Sequence, residues 1–564
     1  NCVDRHLPEK KDDVAFYWEA NQLDGESISI SYQNLHDEVC KVANALKELG
    51  VKKGDRVCLY MPMIPELVYA VLACARIGAI HSVVFAGFSA KALKDRINDA
   101  EAKLVITSSV AYRGNKINEL EKIVDEAIEE NQFIEHVLLL KNHASSTPSK
   151  LKIDWREFVG KQSSCCEPEA MNSEDPLFIL YTSGSTGKPK GVVHTTGGYM
   201  VYTAYSFKNV FQYEEGDVYW CTADIGWITG HSYIIYGPLL EGATSVMYEG
   251  TPTCPDAGRF WQISEKYKVT HFYTAPTAIR ALMVHENKLV TQRDLSQLKV
   301  LGTVGEPINE EAWHWYNEVV GNKTCPIVDT WWQTETGGIM ISSLAGITES
   351  IPTVATKPLP GIQPCLMDSN GNEIDNMEAE GSLCIKYPWP SMIRSTWGDH
   401  QRCKDVYFSA YNGYYFTGDG CKRDKNGNYR ITGRIDDVIN VSGHRIGTAE
   451  VEDAIDTHPN VVEAAVVGFP HEIKGEGIFA YVICENQPAN LNEFNSEILK
   501  QVTKEIGPIA KPDKIIVVEG LPKTRSGKIM RRILRKLASK EFDQLGDIST
   551  LLDPTIVEKI KTKL

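Results

Sequence analysis

Apolar strand-like runs alternate with amphipathic helical stretches through the first 430 residues, and this alternation limits the fold more than any other feature of the chain. It is typical of layered α/β proteins, in which helices cover the faces of a sheet. The clearest strand candidates are Arg56–Tyr60, Leu104–Thr107, Val137–Leu140, Ser245–Tyr248 and Lys299–Val304. Helical stretches such as Leu35–Leu49 and Leu120–Glu129 lie between some of them. We therefore expect an α/β fold.

The pattern changes near residues 433–437, where a smaller unit is predicted to begin. Its predicted elements are helix Ala449–Thr457, strands near Val462–Val467 and Phe479–Cys484, helix Leu491–Ile506 and a basic amphipathic helix Lys528–Lys540. Residues 1–435 are thus predicted to form a large N-terminal domain of several α/β subdomains, and residues 436–564 a small α+β C-terminal domain.

The last predicted helix is apolar along one face, through Ile529, Met530, Ile533, Leu534 and Leu537. An apolar face of this width favours packing against a protein core. Binding to a membrane or to nucleic acid is the less favoured interpretation of its basic character.

A glycine-rich segment, Tyr181–Gly191, follows the apolar run Leu177–Leu180, which is typical of a buried strand. Three glycines, four Ser/Thr hydroxyls and two lysines fall within eleven residues. Glycines let backbone N–H groups approach an anion, and lysines add positive charge, so the segment predicts a polyphosphate-binding loop. A flexible linker is the alternative, which the rigid Pro189 and the entry strand disfavour. The loop is not a Walker motif, because Pro189 stands where that motif has Ser or Thr.

Charge and composition exclude several classes of function. The chain has 59 Lys and Arg against 74 Asp and Glu, a net charge of −15, which argues against a general nucleic-acid or anionic-membrane binder. The most apolar stretch, Leu67–Ala75, ends at Arg76 and is too short to span a bilayer. The 14 cysteines form no CxxC pair and no zinc-ligand spacing, which fits a reducing compartment.

Four further segments join the glycine-rich loop in a fixed order. They are Gly305-Glu306-Pro307, the run 329–337 (DTWWQTETG), the run 415–419 (YFTGD) with its continuation 431–436, and the run 522–528 (PKTRSGK). This set resembles the adenylate-forming superfamily of acyl-CoA synthetases, luciferases and peptide-synthetase adenylation domains. The Trp331-Trp332 pair and the run 222–231 (TADIGWITGH) resemble its acetyl-CoA synthetase branch. The resemblance runs from Asn1 to Leu564, and we expect a family N-terminal region to precede Asn1.

The resemblance implies an acetate–CoA ligase that activates acetate to acetyl-CoA through acetyl-AMP, with pyrophosphate and AMP as products. It implies ATP, Mg²⁺ and coenzyme A as cofactor and substrates. Asp419, an acceptor-only carboxylate, would bind the ribose hydroxyls. The implied ATP-binding residues are Thr182, Ser183, Gly184, Ser185, Thr186, Gly187, Lys188, Gly305, Glu306, Pro307, Asp329, Thr330, Trp331, Trp332, Gln333, Thr334, Asp419, Arg434 and Arg445.

The catalytic residues implied by the resemblance are Lys528, Thr334 and Glu335. Lys528 would bridge the carboxylate and the α-phosphate in the transition state, whereas the alternative is a solvated lysine ahead of a basic helix. A lysine acetyltransferase or deacetylase acting on Lys528 is an expected partner. Glu335 would bind Mg²⁺.

A second cation site is also implied, formed by Asp456, His458 and the carbonyl of Val461. A histidine at a helix end before Pro459 is an equally good interpretation of His458.

Two further sets of residues are implied for the acyl group and the coenzyme. The acetate pocket would consist of Ile228, Thr229, Val304 and Trp332, with the Trp332 indole as a wall against longer acids. A core tryptophan is the alternative for Trp332. Coenzyme A would contact Phe85, Gly87, Arg113, Lys116, Thr229, Ala275, Ser442 and Gly443. Thr253 and Thr503 stand where relatives carry Asn and Arg contacts to the coenzyme. Asp436 would be the hinge about which a mobile C-terminal domain turns.

Three alternatives stay open at this stage. The first is a propionyl-CoA synthetase or another short-chain acyl-CoA synthetase, the second a carrier-protein adenylation module, and the third a nucleotide-binding regulator without catalysis. We expect a cytoplasmic location, or a mitochondrial or nuclear one in a eukaryote, and no nucleic-acid or membrane partner.

Overall fold

The computed structural model describes residues 1–22, 25, 27–143, 149–182, 189–435, 438–523, 529–545, 551 and 553–564. The chain divides into two compact units. The N-terminal unit comprises Asn1–Ala86, Lys94–Tyr181 and Gly191–Gly433, and the C-terminal unit comprises Gly87–Leu93, Thr182–Lys190 and Arg434–Leu564. The α/β fold class, with a large and a smaller domain, is confirmed.

One sheet of the N-terminal unit carries the motif residues at its edge. Its strands, in spatial order, are Ile327–Asp329, Val300–Thr303, His271–Thr274, Val218–Cys221, Thr244–Tyr248, Val14–Glu19 and Ser27–Ser31. Neighbouring strands are parallel up to Val14–Glu19, which pairs antiparallel with Ser27–Ser31. Ligands commonly bind beyond the carboxyl ends of parallel strands. Asp329, Val304 and Ala275 stand at or just after such ends.

A second sheet of this unit has the strand order Ser395–Thr396, Lys190–Thr195, Pro176–Thr182, Ile80–Val83, Arg56–Tyr60, Leu104–Ser108, His136–Leu140 and Lys152–Asp154. An antiparallel sheet follows, with strands Pro364–Met367, Ala379–Ile385, Tyr415–Arg423 and Tyr429–Arg434. A small hairpin is formed by Ala111–Arg113 and Lys116–Asn118.

Helices cover these sheets. They are Leu7–Lys10, Tyr32–Glu48, Pro65–Arg76, Ala90–Ala100, Leu120–Ile128, Trp155–Val159, Thr196–Phe211, Ile228–Gly230, Gly237–Leu240, Arg259–Tyr267, Pro276–Met283, Lys288–Thr291, Glu310–Trp315 and His400–Tyr407, with π-helical stretches at His231–Tyr236 and Tyr316–Val320. Capping side chains and prolines explain where several of these helices begin. Ser31 accepts a hydrogen bond from the Asn34 backbone N–H (3.1 Å) and caps Tyr32–Glu48, and Pro65 occupies a first helical position.

The C-terminal unit combines a mixed sheet with helices. Strands His444–Gly447, Val438–Val441, Gly475–Cys484 and Val461–His471 lie in this order, and Lys514–Val517 pairs parallel with Gly475–Cys484. Its helices are Thr448–Asp456, Leu491–Glu505, Arg531–Ala538 and Thr555–Lys561. Side chains of Ile533, Leu534 and Leu537 are buried in one core with Phe479 and Tyr481, so the predicted core-facing role of this helix is confirmed.

Most predicted elements match the observed ones within one to three residues, and strand Arg56–Tyr60 matches residue for residue. The start of the last predicted helix, Lys528, is wrong. Ile529 forms a β-bridge with Lys523 and the helix begins only at Arg531. Its end at Ala538 agrees with the left-handed conformation of Lys540 (φ +59°). All 14 cysteines lie in the described part of the chain, and none of them forms a disulfide bond there. None of the described helices is long and apolar enough to cross a membrane.

Candidate nucleotide, acyl and coenzyme sites

The segment Asp329–Glu335 begins at the end of its strand, and all of its residues are buried except Trp332, which is half-buried. The Thr303 hydroxyl donates to Asp329 Oδ1 (2.7 Å), and burial raises the pKa of this carboxyl to about 6. The Thr330 hydroxyl donates to the Thr303 carbonyl (2.7 Å). Two hydrogen bonds thus tie the segment to the neighbouring strand Val300–Thr303.

The Asp419 carboxylate is held by side chains from a distant motif. Its Oδ2 accepts hydrogen bonds from Trp331 Nε1 (3.2 Å) and Gln333 Nε2 (2.7 Å), and all three residues are buried. Gln333 is fixed in turn, because its Oε1 accepts from the Tyr415 hydroxyl (2.8 Å) and its Nε2 also donates to the Thr417 carbonyl (2.8 Å). The structure therefore brings two predicted ATP-binding segments together around one oriented carboxylate.

The Glu306 side chain has structural partners of its own. Arg280 Nη2 lies 2.8 Å from Glu306 Oε2, and the Thr277 backbone N–H donates to Oε1 (2.8 Å) at the start of helix Pro276–Met283. The carboxylate thus anchors the loop of Gly305 (φ +94°) to that helix. Sequence patterns gave no sign of the Arg280 pairing.

Trp332 is held in one orientation by two tyrosines. Its indole lies edge-on to the Tyr233 ring (5.0 Å, 89°), and Nε1 donates to the Tyr273 hydroxyl (3.4 Å). Tyr233 follows the predicted pocket residue Thr229 by four positions on one helical segment. Val304 donates its backbone N–H to the carbonyl of Thr274 (3.2 Å), the residue after Tyr273. Trp332 and Val304 are therefore fastened to adjacent residues of one strand.

The predicted coenzyme residues of the N-terminal unit form a chain of contacts. Arg113 stacks over the Phe85 ring (5.2 Å), and Phe85 packs against Trp227 (5.2 Å), which directly precedes Ile228 and Thr229. Arg113 and Lys116 lie opposite each other in the small hairpin. Ala275 precedes helix Pro276–Met283 as its N-cap. A basic hairpin is thus connected through two aromatic rings to the residues predicted to bind the acyl group.

Thr334 and Glu335, which are predicted to be catalytic, are both buried. The Thr334 carbonyl is hydrogen-bonded to His194 Nε2 (2.7 Å), and burial lowers the pKa of His194 to about 4, so the imidazole is neutral at pH 7. Glu335 is fully buried, and its Oε1 accepts a hydrogen bond from the Tyr407 hydroxyl. Neither His194 nor Tyr407 belongs to a motif, and only their contacts identify them.

Comparison with known proteins agrees with this geometry. Residues 3–394 match the family described as AMP-binding enzyme, and residues 450–528 match the AMP-binding enzyme C-terminal domain.

The chain belongs to the family of AMP-binding enzymes.

Relatives within this family are similar over almost the whole chain. An acetyl-coenzyme A synthetase of Alcanivorax borkumensis is 58% identical over 99% of this chain and 87% of its own length. The acetyl-coenzyme A synthetase of Saccharophagus degradans is 56% identical with the same coverage. Acetyl-coenzyme A synthetase 2 of Pseudomonas aeruginosa is 56% identical over 99% of this chain and 86% of its own length.

The C-terminal unit carries other residues that the family resemblance implies. Ser442 (φ +53°) and Gly443 (φ +82°) form the turn between strands Val438–Val441 and His444–Gly447, and Arg445 pairs with Asn440 across it. Arg434 ends strand Tyr429–Arg434. Gly87 belongs to this unit, where a Cβ atom on Gly507 would stand 2.9 Å from the Gly87 carbonyl oxygen.

The second cation site remains a prediction. His458 Nδ1 accepts the Asn460 backbone N–H (3.2 Å) and Nε2 lies 3.2 Å from Glu497, so both ring nitrogens have protein partners. Burial and nearby acidic residues raise the pKa of Asp456 to about 6. Among the residues that the structure describes, no group of three His, Cys, Asp or Glu side chains has metal-binding geometry.

Several predicted residues lie outside the described part of the chain. They are Ser183, Gly184, Ser185, Thr186, Gly187 and Lys188 of the glycine-rich loop, Asp436, which is predicted as the hinge, and Lys528, which is predicted to be catalytic. Thr182 ends the entry strand Pro176–Thr182, as the sequence predicts.

Proposed function

We propose that this protein activates acetate with ATP to acetyl-AMP and transfers the acetyl group to coenzyme A, with release of pyrophosphate and AMP. The observation that carries the proposal is 54–58% identity to acetyl-coenzyme A synthetases along 99% of the chain. The orientation of Asp419 and the locked indole of Trp332 support it.

Adenylation needs the acetate carboxylate in line with the α-phosphorus of ATP. Asp419, aimed by Trp331 and Gln333, would accept hydrogen bonds from the ribose hydroxyls and fix the nucleotide. An acetate oxygen then forms a bond to the α-phosphorus, and the bond to the pyrophosphate oxygen breaks. Coenzyme A reacts in the second step, in which its sulfur bonds to the acetyl carbon and AMP leaves.

Acetate is the proposed acid because Trp332 is held from two sides. Tyr233 and Tyr273 contact the indole from two sides, so a longer acyl chain would meet a wall whose movement is restrained. A hydrophobic pocket alone discriminates one methylene by only about 1–3 kcal/mol, so a rigid wall is needed for stronger selection. Propionate is expected as a slower substrate.

Glu335 has donor chemistry that suits Mg²⁺. Nucleotide-bound Mg²⁺ usually takes one or two carboxylates together with phosphate oxygens. The Tyr407 hydroxyl fixes one oxygen of the buried Glu335 carboxylate, which would hold the ion. When bound, Mg²⁺ neutralises charge on the phosphates.

Lys528 is proposed as the cation that stabilises the adenylation transition state, and acetylation of its amine would remove that charge. Lys528→Ala is expected to abolish acetate-dependent pyrophosphate–ATP exchange while thioester formation from supplied acetyl-AMP continues. Equal loss of both reactions would contradict the role.

A turn of the C-terminal domain about Asp436 is proposed to separate the two steps. The proposed location of the protein is the cytoplasm.

A panel of acids tests the proposed function. Coenzyme-dependent AMP release is measured with acetate, propionate and butyrate at equal concentrations. We expect the highest kcat/KM for acetate, a lower value for propionate and almost none for butyrate. AMP release that is independent of the acid, or that is fastest with butyrate, would contradict the proposal.

A further inference from the structure

The small hairpin of Ala111–Arg113 and Lys116–Asn118 places two cations where they repel each other. Arg113 and Lys116 are directly opposed partners, so their side chains leave the same face of the hairpin. Like charges at opposed positions destabilise a strand pair, and a hairpin with three-residue strands is marginal by itself. Neither cation forms a salt bridge within the described part of the chain, and the Asp224 carboxylate interacts with Arg113 only at longer range. Such an arrangement favours an anion between them.

The tip of the hairpin is fastened by a single buried amide. Asn21 Nδ2 donates to the Gly114 carbonyl (2.9 Å), and the Gly114 N–H donates to Asn21 Oδ1 (2.9 Å). Gly114 has φ +60° at the first loop position, as a two-residue type II′ turn requires. Asn21 is 4% exposed, and its own backbone N–H donates to Glu249 Oε2 (3.2 Å). The amide therefore cannot shift without disturbing buried contacts.

A second asparagine braces the base of the same hairpin. Asn142 Nδ2 donates to the Val110 carbonyl (3.0 Å), and the Val110 N–H donates to Asn142 Oδ1 (3.1 Å). The Ser109 hydroxyl donates to the same oxygen (2.8 Å). Val110 directly precedes the first hairpin strand, so two reciprocal amide pairs hold the segment at its tip and at its base.

We propose that Asn21, together with Asn142, is a positioning residue for coenzyme binding: it holds the hairpin so that Arg113 and Lys116 jointly meet phosphate groups of coenzyme A. Without the clamp, repulsion between the two cations separates the strands, and each cation meets the phosphate alone. The inference rests on the proposed function, and it adds residues that contact no substrate.

The test compares variants in the full chain by steady-state kinetics. Asn21→Leu removes both hydrogen bonds at similar size, and Asn21→Asp keeps the shape but turns the donor into an acceptor that faces the Gly114 carbonyl. We expect the KM for coenzyme A to rise about tenfold in Asn21→Leu and about three- to tenfold in Asn21→Asp. The KM values for acetate and ATP in pyrophosphate–ATP exchange stay within about twofold of the unaltered protein, since the adenylation residues are untouched.

Asn460 provides a matched control. Its amide makes the same reciprocal pair with the backbone of Asn486 (2.8 and 3.0 Å) in the C-terminal unit. Asn460→Leu should leave the KM for coenzyme A unchanged. An unchanged KM in a folded Asn21 variant, or an equal rise for coenzyme A, acetate and ATP, would overturn the inference.

Two further outcomes, failure of a variant to fold and absence of acetate-dependent exchange, also decide whether the inference holds. If Asn21→Leu does not fold, the isosteric Asn21→Asp variant gives the answer. If neither folds, Asn21 serves folding and the inference is wrong. If the unaltered protein shows no acetate-dependent exchange, the proposed function fails and the inference fails with it. Normal exchange together with a normal KM in the variants contradicts the inference alone.

Discussion

The region around Asp419, proposed to bind the nucleotide, and the hairpin of Ala111–Arg113 and Lys116–Asn118, proposed to bind coenzyme A, hold their polar groups in opposite ways. Around Asp419 the functional side chains are buried and bonded to one another, through Trp331, Gln333 and Tyr415. In the hairpin, Arg113 and Lys116 are exposed, and the hydrogen bonds that position them lie in the backbone of neighbouring residues. The first region is oriented by its own side chains, whereas the second is oriented by braces beneath it.

This difference predicts how strongly substitutions in each region affect activity. A preorganised buried carboxylate costs little reorganisation when the ligand binds, so its loss removes interactions directly. An exposed cation pair acts through local charge and is screened by salt. Changes in the nucleotide region should therefore reduce adenylation strongly, and changes in the hairpin should raise the KM for coenzyme A modestly.

The largest expected effect comes from Asp419→Ala. Loss of charge-assisted hydrogen bonds to two hydroxyls should lower kcat/KM for ATP in pyrophosphate–ATP exchange by about 10²- to 10³-fold. Asp368→Ala, in an exposed turn of the same sheet, is the control and should stay near the unaltered value. If Asp419→Ala lowered kcat/KM for ATP by less than about fivefold, the oriented carboxylate would not bind the nucleotide.

Asp329→Asn should change the stability of the chain in a pH-dependent way. The folded pKa of Asp329 is raised from 3.8 to about 6, so its contribution to stability is present below pH 3.8 and is lost as pH rises through about 6. Above pH 7 the variant avoids the cost of a buried charge, and its free energy of unfolding should exceed that of the unaltered chain by up to about 2–3 kcal/mol. Urea unfolding between pH 4 and pH 8 checks this, because the gain should vanish towards pH 4. A gain that is the same at every pH would contradict the assignment.

The smallest effect is expected for Arg113→Ala. One exposed phosphate contact should account for about a tenfold rise in the KM for coenzyme A, with exchange kinetics unchanged. Lys122→Ala, on an exposed helix surface nearby, serves as the control. An effect on exchange as large as that of Asp419→Ala would remove the distinction between the two regions.

Those parts of the fold that depend on local patterns were predictable from the sequence. Strand Arg56–Tyr60 was predictable because it is an apolar run with defined ends. Asp419 was selected as a candidate because it lies in a short motif, and its role stays a prediction. The partners of Trp332 and Gly114 were not predictable, because contacts between distant segments leave no periodic signal in the sequence. Tyr273 lies 59 residues before Trp332, and Asn21 lies 93 residues before Gly114.

The last predicted helix was wrong at its start. Its helical periodicity continues through Ile529, yet pairing with Lys523 takes that residue into an isolated β-bridge. The role of Glu306 at the nucleotide stays a prediction. The structure adds that the Glu306 side chain pairs with Arg280 and Thr277, contacts that its motif does not indicate.

Pyrophosphate–ATP exchange by the unaltered chain, measured without coenzyme A, tests the central claim most directly. We expect exchange that depends on acetate and proceeds in the absence of coenzyme A, followed by equal yields of AMP and acetyl-CoA once the coenzyme is added. Exchange that requires coenzyme A, or no exchange with acetate or any other short acid, would contradict it.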